Sequence, residues 1–143
     1  MTKVRTARRV AILAALVVAL ALALGAWAFW HARSPRTSWV VPAAYTVSAD
    51  GGTLTLYDWG GSCDKPLAAR VLGQSPAMVE VALQRTVPPG SCSAMAVLHQ
   101  VDVTLSLPLG DRRVSDRSGA TIPAAPSAAD VLANPGRYGF GSG

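Results

Sequence analysis

The pattern of apolar and polar positions divides the chain into two regimes. Residues 10–30 read VAILAALVVALALALGAWAFW, 21 positions without a charged or strongly polar side chain. As a helix this run is about 32 Å long, close to the ~30 Å hydrocarbon core of a bilayer. Ala and Leu dominate it, and both are good helix formers. Beyond residue 38 the period becomes two. Tyr45–Ala49 and Thr53–Trp59 alternate around Asp50-Gly51-Gly52, which predicts a hairpin. Residues 67–72 predict a weaker strand. Met78–Thr86 puts Val79, Val81 and Leu83 on one face and Glu80 and Gln84 on the other, and Pro88-Pro89-Gly90 ends it. Val97–Leu107 turns Val101, Val103, Leu105 and Leu107 inward, with Gln100, Asp102, Thr104 and Ser106 outward. Arg113–Ser115 and Thr121–Ile122 bracket a polar turn at Ser118-Gly119.

Six or seven short strands at this spacing predict an all-β fold, a small antiparallel immunoglobulin-like sandwich behind one amino-terminal transmembrane helix. The expected segments are a basic stretch 1–9, the apolar span 10–30, a linker 31–38, the β domain 39–123 and an Ala/Pro/Gly-rich tail 124–143. The tail is expected to be partly ordered, with one helical turn opened by Ser127 and Asp130 in a capping-box pattern.

Charge sharpens the topology. The formal net charge of +5 is +6 before residue 37 and −1 after it. A pI of 9.9 suggests nucleic acid only when the charge covers a folded face. Here the cations flank an apolar run, so nucleic acid is not an expected partner. Lys3, Arg5, Arg8 and Arg9 precede the run, with the weaker set His31, Arg33 and Arg36 after it. The positive-inside rule then places the amino terminus in the cytoplasm and the domain outside, at the plasma membrane. Trp27, Phe29 and Trp30 suit the headgroup level at the far end. A cleaved signal peptide is the rival reading, with Ala26-Trp27-Ala28 as an A-x-A site. The bulky aromatics and the length of the run favour an uncleaved anchor. Arg8-Arg9 sits in a poor twin-arginine context, and the first cysteine, Cys63, lies far beyond any lipoprotein position.

Cys63 and Cys92 are the only cysteines, each beside a turn. Outside the cytoplasm an even count predicts a disulfide. The bridge would close a loop of about 30 residues and contribute about 3–4 kcal/mol. No C-x-x-C is present, and two histidines (His31 and His99) do not make a metal set. No metal or cofactor is expected. His99 is read as structural, since a general base needs a partnered nucleophile and no nucleophile motif is present. Asp111-Arg112-Arg113 with Asp116 and Arg117 is read as a solvated turn with weak ion pairs. Trp39, Trp59, Tyr45 and Tyr57 are assigned to the core or the membrane edge before a ligand groove. Pro108, Gly110, Asp111 and Arg112 form a structural corner. Pro108 ends a strand, Gly110 takes positive φ, Asp111 accepts backbone N–H groups, and Arg112 starts the next strand.

Cys63-Asp64, the 79–83 strand, Cys92, then Val-Thr-Leu-Ser-Leu-Pro-Leu-Gly-Asp-Arg (103–112) and the turn Val114-Ser115-Asp116-Arg117-Ser118-Gly119 form a recognisable series. It resembles a pattern found in uncharacterised exported or membrane-anchored β-domain proteins of high-GC Gram-positive bacteria. The resemblance covers about residues 54–123, and Pro108–Arg112 is its most specific piece. It implies an extracytoplasmic β domain behind one membrane span and brings no catalytic residue.

The expected function is binding or scaffolding at the cell envelope without catalysis, held to the bilayer through residues 10–30, with an envelope protein or ligand as partner. The alternatives are a secreted or anchored hydrolase whose Ser, Asp and His meet only in the fold, and an accessory subunit of a membrane complex.

Overall fold

The computed structural model describes residues 2–90 and 95–139, without the side chains of 2–15, 66 and 67. It divides into two compact units at Ser34/Pro35. The first is one helix, α1 (Thr2–Ala32). The Ser34 hydroxyl closes it by donating to the Trp30 carbonyl at 2.9 Å, and the Arg33 guanidinium lies 3.9 Å above the Phe29 ring. The apolar side chains from Leu16 to Trp30 are exposed, Trp30 by 75%. Among the described residues, which include the side chains of α1 only from residue 16, no helix is long and apolar enough to cross a membrane.

The second unit is mostly β. Its strands are β1 (Arg36–Val40), β2 (Ala44–Val47), β3 (Thr53–Gly61), β4 (Lys65–Gln74), β5 (Met78–Val87), β6 (Ala96–Thr104) and β7 (Arg113–Ser115). One sheet runs β1-β5-β4, with β7 also on β5; the other runs β2-β3-β6. All pairings between these strands are antiparallel except β5 with β7, which is parallel. That corrects a purely antiparallel expectation. The turn after residue 107 brings β7 alongside β5 in the same direction, with Val79 opposite Val114.

Alternation explains the layers. Residues directly opposite on paired strands share a face. Leu54 and Leu56 of β3, Tyr45 of β2, Val103 of β6, Val79 and Val81 of β5 and Val114 of β7 meet in one core, with Ala69 and Val71 of β4 against it. The predicted hairpin is present, with Val47 opposite Leu54 and Gly51 at φ +73°. Asp50 accepts from the Ser48 hydroxyl and the Gly52 amide.

Three expectations need correction. The segment 31–38 is not all linker: Arg36–Ser38 already pair with Arg85–Val87. Leu107 is not inward but 64% exposed. β6 stops at Thr104, and the turn places Leu109 in the core instead, its amide donating to the Gly51 carbonyl. The tail is also more structured than expected. Tyr45 and Ala124 bridge, and α2 (Ala128–Ala133) and a 3-10 turn (Pro135–Tyr138) follow. The amide of Asp130 donates to the Ser127 side chain, the cap read from sequence. Ala125, Val131 and Tyr138 form a second core with Ala44 and Tyr57. Tyr57 has the opposite parity to Leu56, so the tail covers the outer face of the β2-β3-β6 sheet.

Candidate functional site

The inner face of β3 continues past Leu54 and Leu56 to Asp58, and that of β5 continues past Val79, Val81 and Leu83 to Arg85. The apolar core therefore ends in a charge pair between the sheets. Arg85 donates Nε–H to Asp58 Oδ2 at 2.8 Å and Nη2–H to Asp58 Oδ1 at 2.6 Å. This fork matches a carboxylate in two parallel bonds. Nη2 also donates to the Trp59 carbonyl at 2.6 Å, and Nη1 lies 3.8 Å from Asp64 Oδ2. The hydrogen bond to Asp58 outweighs burial and holds the Arg85 guanidinium above its ordinary value, so it stays charged.

Asp64 is fixed by the turn after β3, accepting from the Gly61 amide at 2.8 Å. The Gly61 carbonyl accepts from His99 Nε2 at 3.0 Å. His99 is opposite Asp58 in the β3–β6 register, and the structural role read from sequence fits this bond. A Cβ on Gly60 would stand 3.0 Å from Asp64 Oδ2 and 3.1 Å from His99 Cδ2. Glycine there lets the strand approach both side chains.

Beside this pair opens a cleft of about 520 Å³. Val40 and Val41 from the end of β1 and Trp59 form apolar wall. Asp58 and Arg85 also line it, with Arg137 and Tyr138 of the tail. Arg137 is exposed and lies 5.6 Å from the Tyr138 ring centroid, with no acidic partner among the described residues. The Tyr138 hydroxyl donates to Asp130 Oδ2, which ties the wall to α2. Among the described residues no serine or histidine lines the cleft. Both Asp58 oxygens accept from Arg85. The described lining sets an apolar surface beside the exposed guanidinium of Arg137.

The residues singled out in the sequence lie elsewhere. Cys63 sits in the exposed turn after β3, and no described cysteine is free. Cys92 lies outside the described residues, and so does its pairing with Cys63. Pro108, Gly110, Asp111 and Arg112 lie between β6 and β7, with Gly110 at φ +55°. The organiser of this segment is Arg112 and not Asp111. Arg112 donates to the carbonyls of Leu107, Pro108 and Leu109 at 2.7, 2.7 and 3.0 Å, and to Gln74 Oε1 at 3.0 Å. Asp111 is exposed and makes no such bond among the described residues, and β7 starts at Arg113. Among the described residues the neighbouring charges do not form the expected ion pairs. Asp116 Oδ1 instead accepts from the Ser118 amide and hydroxyl and the Ala120 amide. Burial raises its pKa, but these bonds together lower it further, and the net shift is downward.

Tyr45 and Tyr57 are core residues, Trp39 is 43% exposed and Trp59 lines the cleft. The Asp58–Arg85 pair and Arg137 escaped the sequence reading. The available signal was parity: Asp58 and Arg85 each fall on the apolar face of their strands.

No protein-family model matches the chain, and neither the curated proteins nor the solved structures contain a match.

Proposed function

We propose that this protein is a membrane-anchored binding domain of the cell envelope. Residues 10–30 are the anchor, the amino terminus is cytoplasmic, and the β unit is an immunoglobulin-like sandwich on the outer side, stapled by Cys63 and Cys92. Support for the anchor is the 21-residue apolar run on a helix that forms a unit of its own. The observation that carries the binding reading is the cleft of about 520 Å³ with Arg137 at its rim. Its lining fits a small ligand with an apolar body and an acidic group. The body would lie against Trp59 and Val41, and the acid would meet Arg137.

Four measurements test this. After carbonate washing the chain stays with membranes, and protease added to intact cells digests the part beyond residue 37. A mature amino terminus at Phe29 refutes the anchor in favour of a cleaved signal. A thermal-shift screen of aromatic carboxylates against the full chain in detergent should find stabilising compounds whose shift is lost in Arg137→Ala. If the hits stabilise Arg137→Ala equally, the cleft reading is wrong.

A further inference from the structure

The outer face of the β1-β5-β4 sheet carries a feature that neither the cleft nor the core uses. On β5 the inward positions are Val79, Val81, Leu83 and Arg85, so Glu80, Ala82, Gln84 and Thr86 face outward. Register extends that face to both neighbours. Trp39 is opposite Gln84, and Lys65 and Arg70 are opposite Thr86 and Ala82. The Thr37 and Thr86 hydroxyls meet across it at 3.2 Å, which fixes the parity. Arg117, from the turn after β7, lies over the Trp39 ring with its guanidinium carbon 4.6 Å from the centroid. Lys65, Arg70 and Arg117 are all exposed, as is Trp39. Glu80 is the one acid of β5 on this face. The chain beyond residue 36 has a net charge of −1, so three cations around an exposed indole are a local concentration of positive charge.

We infer that this face docks on an anionic lipid surface. The inference rests on the anchor reading above. Tether length, charge and the exposed indole all select lipid as the occupant. Only Arg33, Ser34 and Pro35 separate the end of α1 from the start of β1. Three extended residues reach about 10 Å, so a chain anchored by residues 10–30 keeps β1 at headgroup depth. The charge is complementary to phosphate headgroups, which attract each nearby Lys or Arg. An indole favours the interface between hydrocarbon and water, and the guanidinium on Trp39 joins both preferences in one contact.

The test uses the full chain in lipid nanodiscs, one set of phosphatidylcholine alone and one with a third phosphatidylglycerol. Amide hydrogen exchange is followed over residues 36–40, 65–72 and 115–119. In the anionic discs exchange at these segments slows by about fivefold or more, the factor for one cation near an anionic surface. The slowing disappears in 0.5 M salt and in the triple variant Lys65→Gln, Arg70→Gln, Arg117→Gln. An unchanged melting temperature of that variant shows that the fold is intact. Equal exchange in both disc types refutes docking while leaving the anchor standing. Protection confined to the β2-β3-β6 sheet refutes it also. A chain that does not co-elute with discs of either kind refutes the anchor and, with it, the tether that places this face at the lipid.

Discussion

Replacing Arg85 by Met tests whether the charge pair at the end of the core is a structural necessity. The substitution keeps the apolar stem and removes the guanidinium. Asp58 is then left 4% exposed, having lost both of the charged bonds to its carboxylate. A buried ion stranded in this way costs about 3–5 kcal/mol. The reverse change, Asp58→Asn, should cost less, about 1–2 kcal/mol. Arg85 keeps 21% of its side-chain surface in water and has Asp64 only 3.8 Å away as a substitute partner. For a unit of about 110 residues each kcal/mol shifts the melting temperature by roughly 4 °C. The expected drops are therefore about 12–20 °C for Arg85→Met and about 4–8 °C for Asp58→Asn. The double variant Asp58→Leu/Arg85→Met removes both charges and should recover to within about 1–2 kcal/mol of wild type, since apolar replacement of a buried pair is often close to neutral. Melts of the full chain in detergent, followed by near-ultraviolet circular dichroism, read all three. An Arg85→Met variant that melts with wild type refutes the argument. A double variant worse than either single would show that shape, and not charge, is what the pair supplies.

Gly110→Val should cost about 1–3 kcal/mol from the positive φ alone, because no atom lies within 4 Å of the added Cβ, whereas exposed Arg113→Ala should change stability by less than about 0.5 kcal/mol. Equal melts for the two would overturn the corner. Asp116 has a folded pKa below its ordinary value of 3.8, so its contribution is complete above that value and is lost as pH falls through the depressed one. Acid titration of stability should accordingly show a shallower loss below about pH 4 in Asp116→Asn than in wild type; identical acid limbs would contradict it. Thiol labelling of the unreduced, denatured chain should find neither Cys63 nor Cys92 reactive, and ready labelling of both would remove the proposed bridge.

What the sequence determined by itself is local. A helix over residues 10–30 follows from an apolar run too long for a strand, and α1 contains it. Two-residue alternation sets which side of a strand is apolar, so Val79, Val81, Leu83 and the 50–52 hairpin were legible without tertiary knowledge. Gly110 and the Ser127 cap were legible for the same reason, since backbone conformation and capping involve only near neighbours. Periodicity does not say what lies across a face. Val131 and Tyr138 cover Tyr57 only because the chain returns some 75 residues later, and short apolar residues among Pro, Ala and Gly carry no period to announce it. Leu107 and Leu109 share one parity; the end of β6 and the turn that follows decide which of them is buried. The Asp58–Arg85 pair is the sharpest case. Each residue alone breaks its strand's pattern, and the reason lies in the opposite sheet, 27 residues away in sequence and within hydrogen-bonding distance in space. A charge on an apolar face is unfavourable until its partner is known, and only the packing of two sheets supplies that partner.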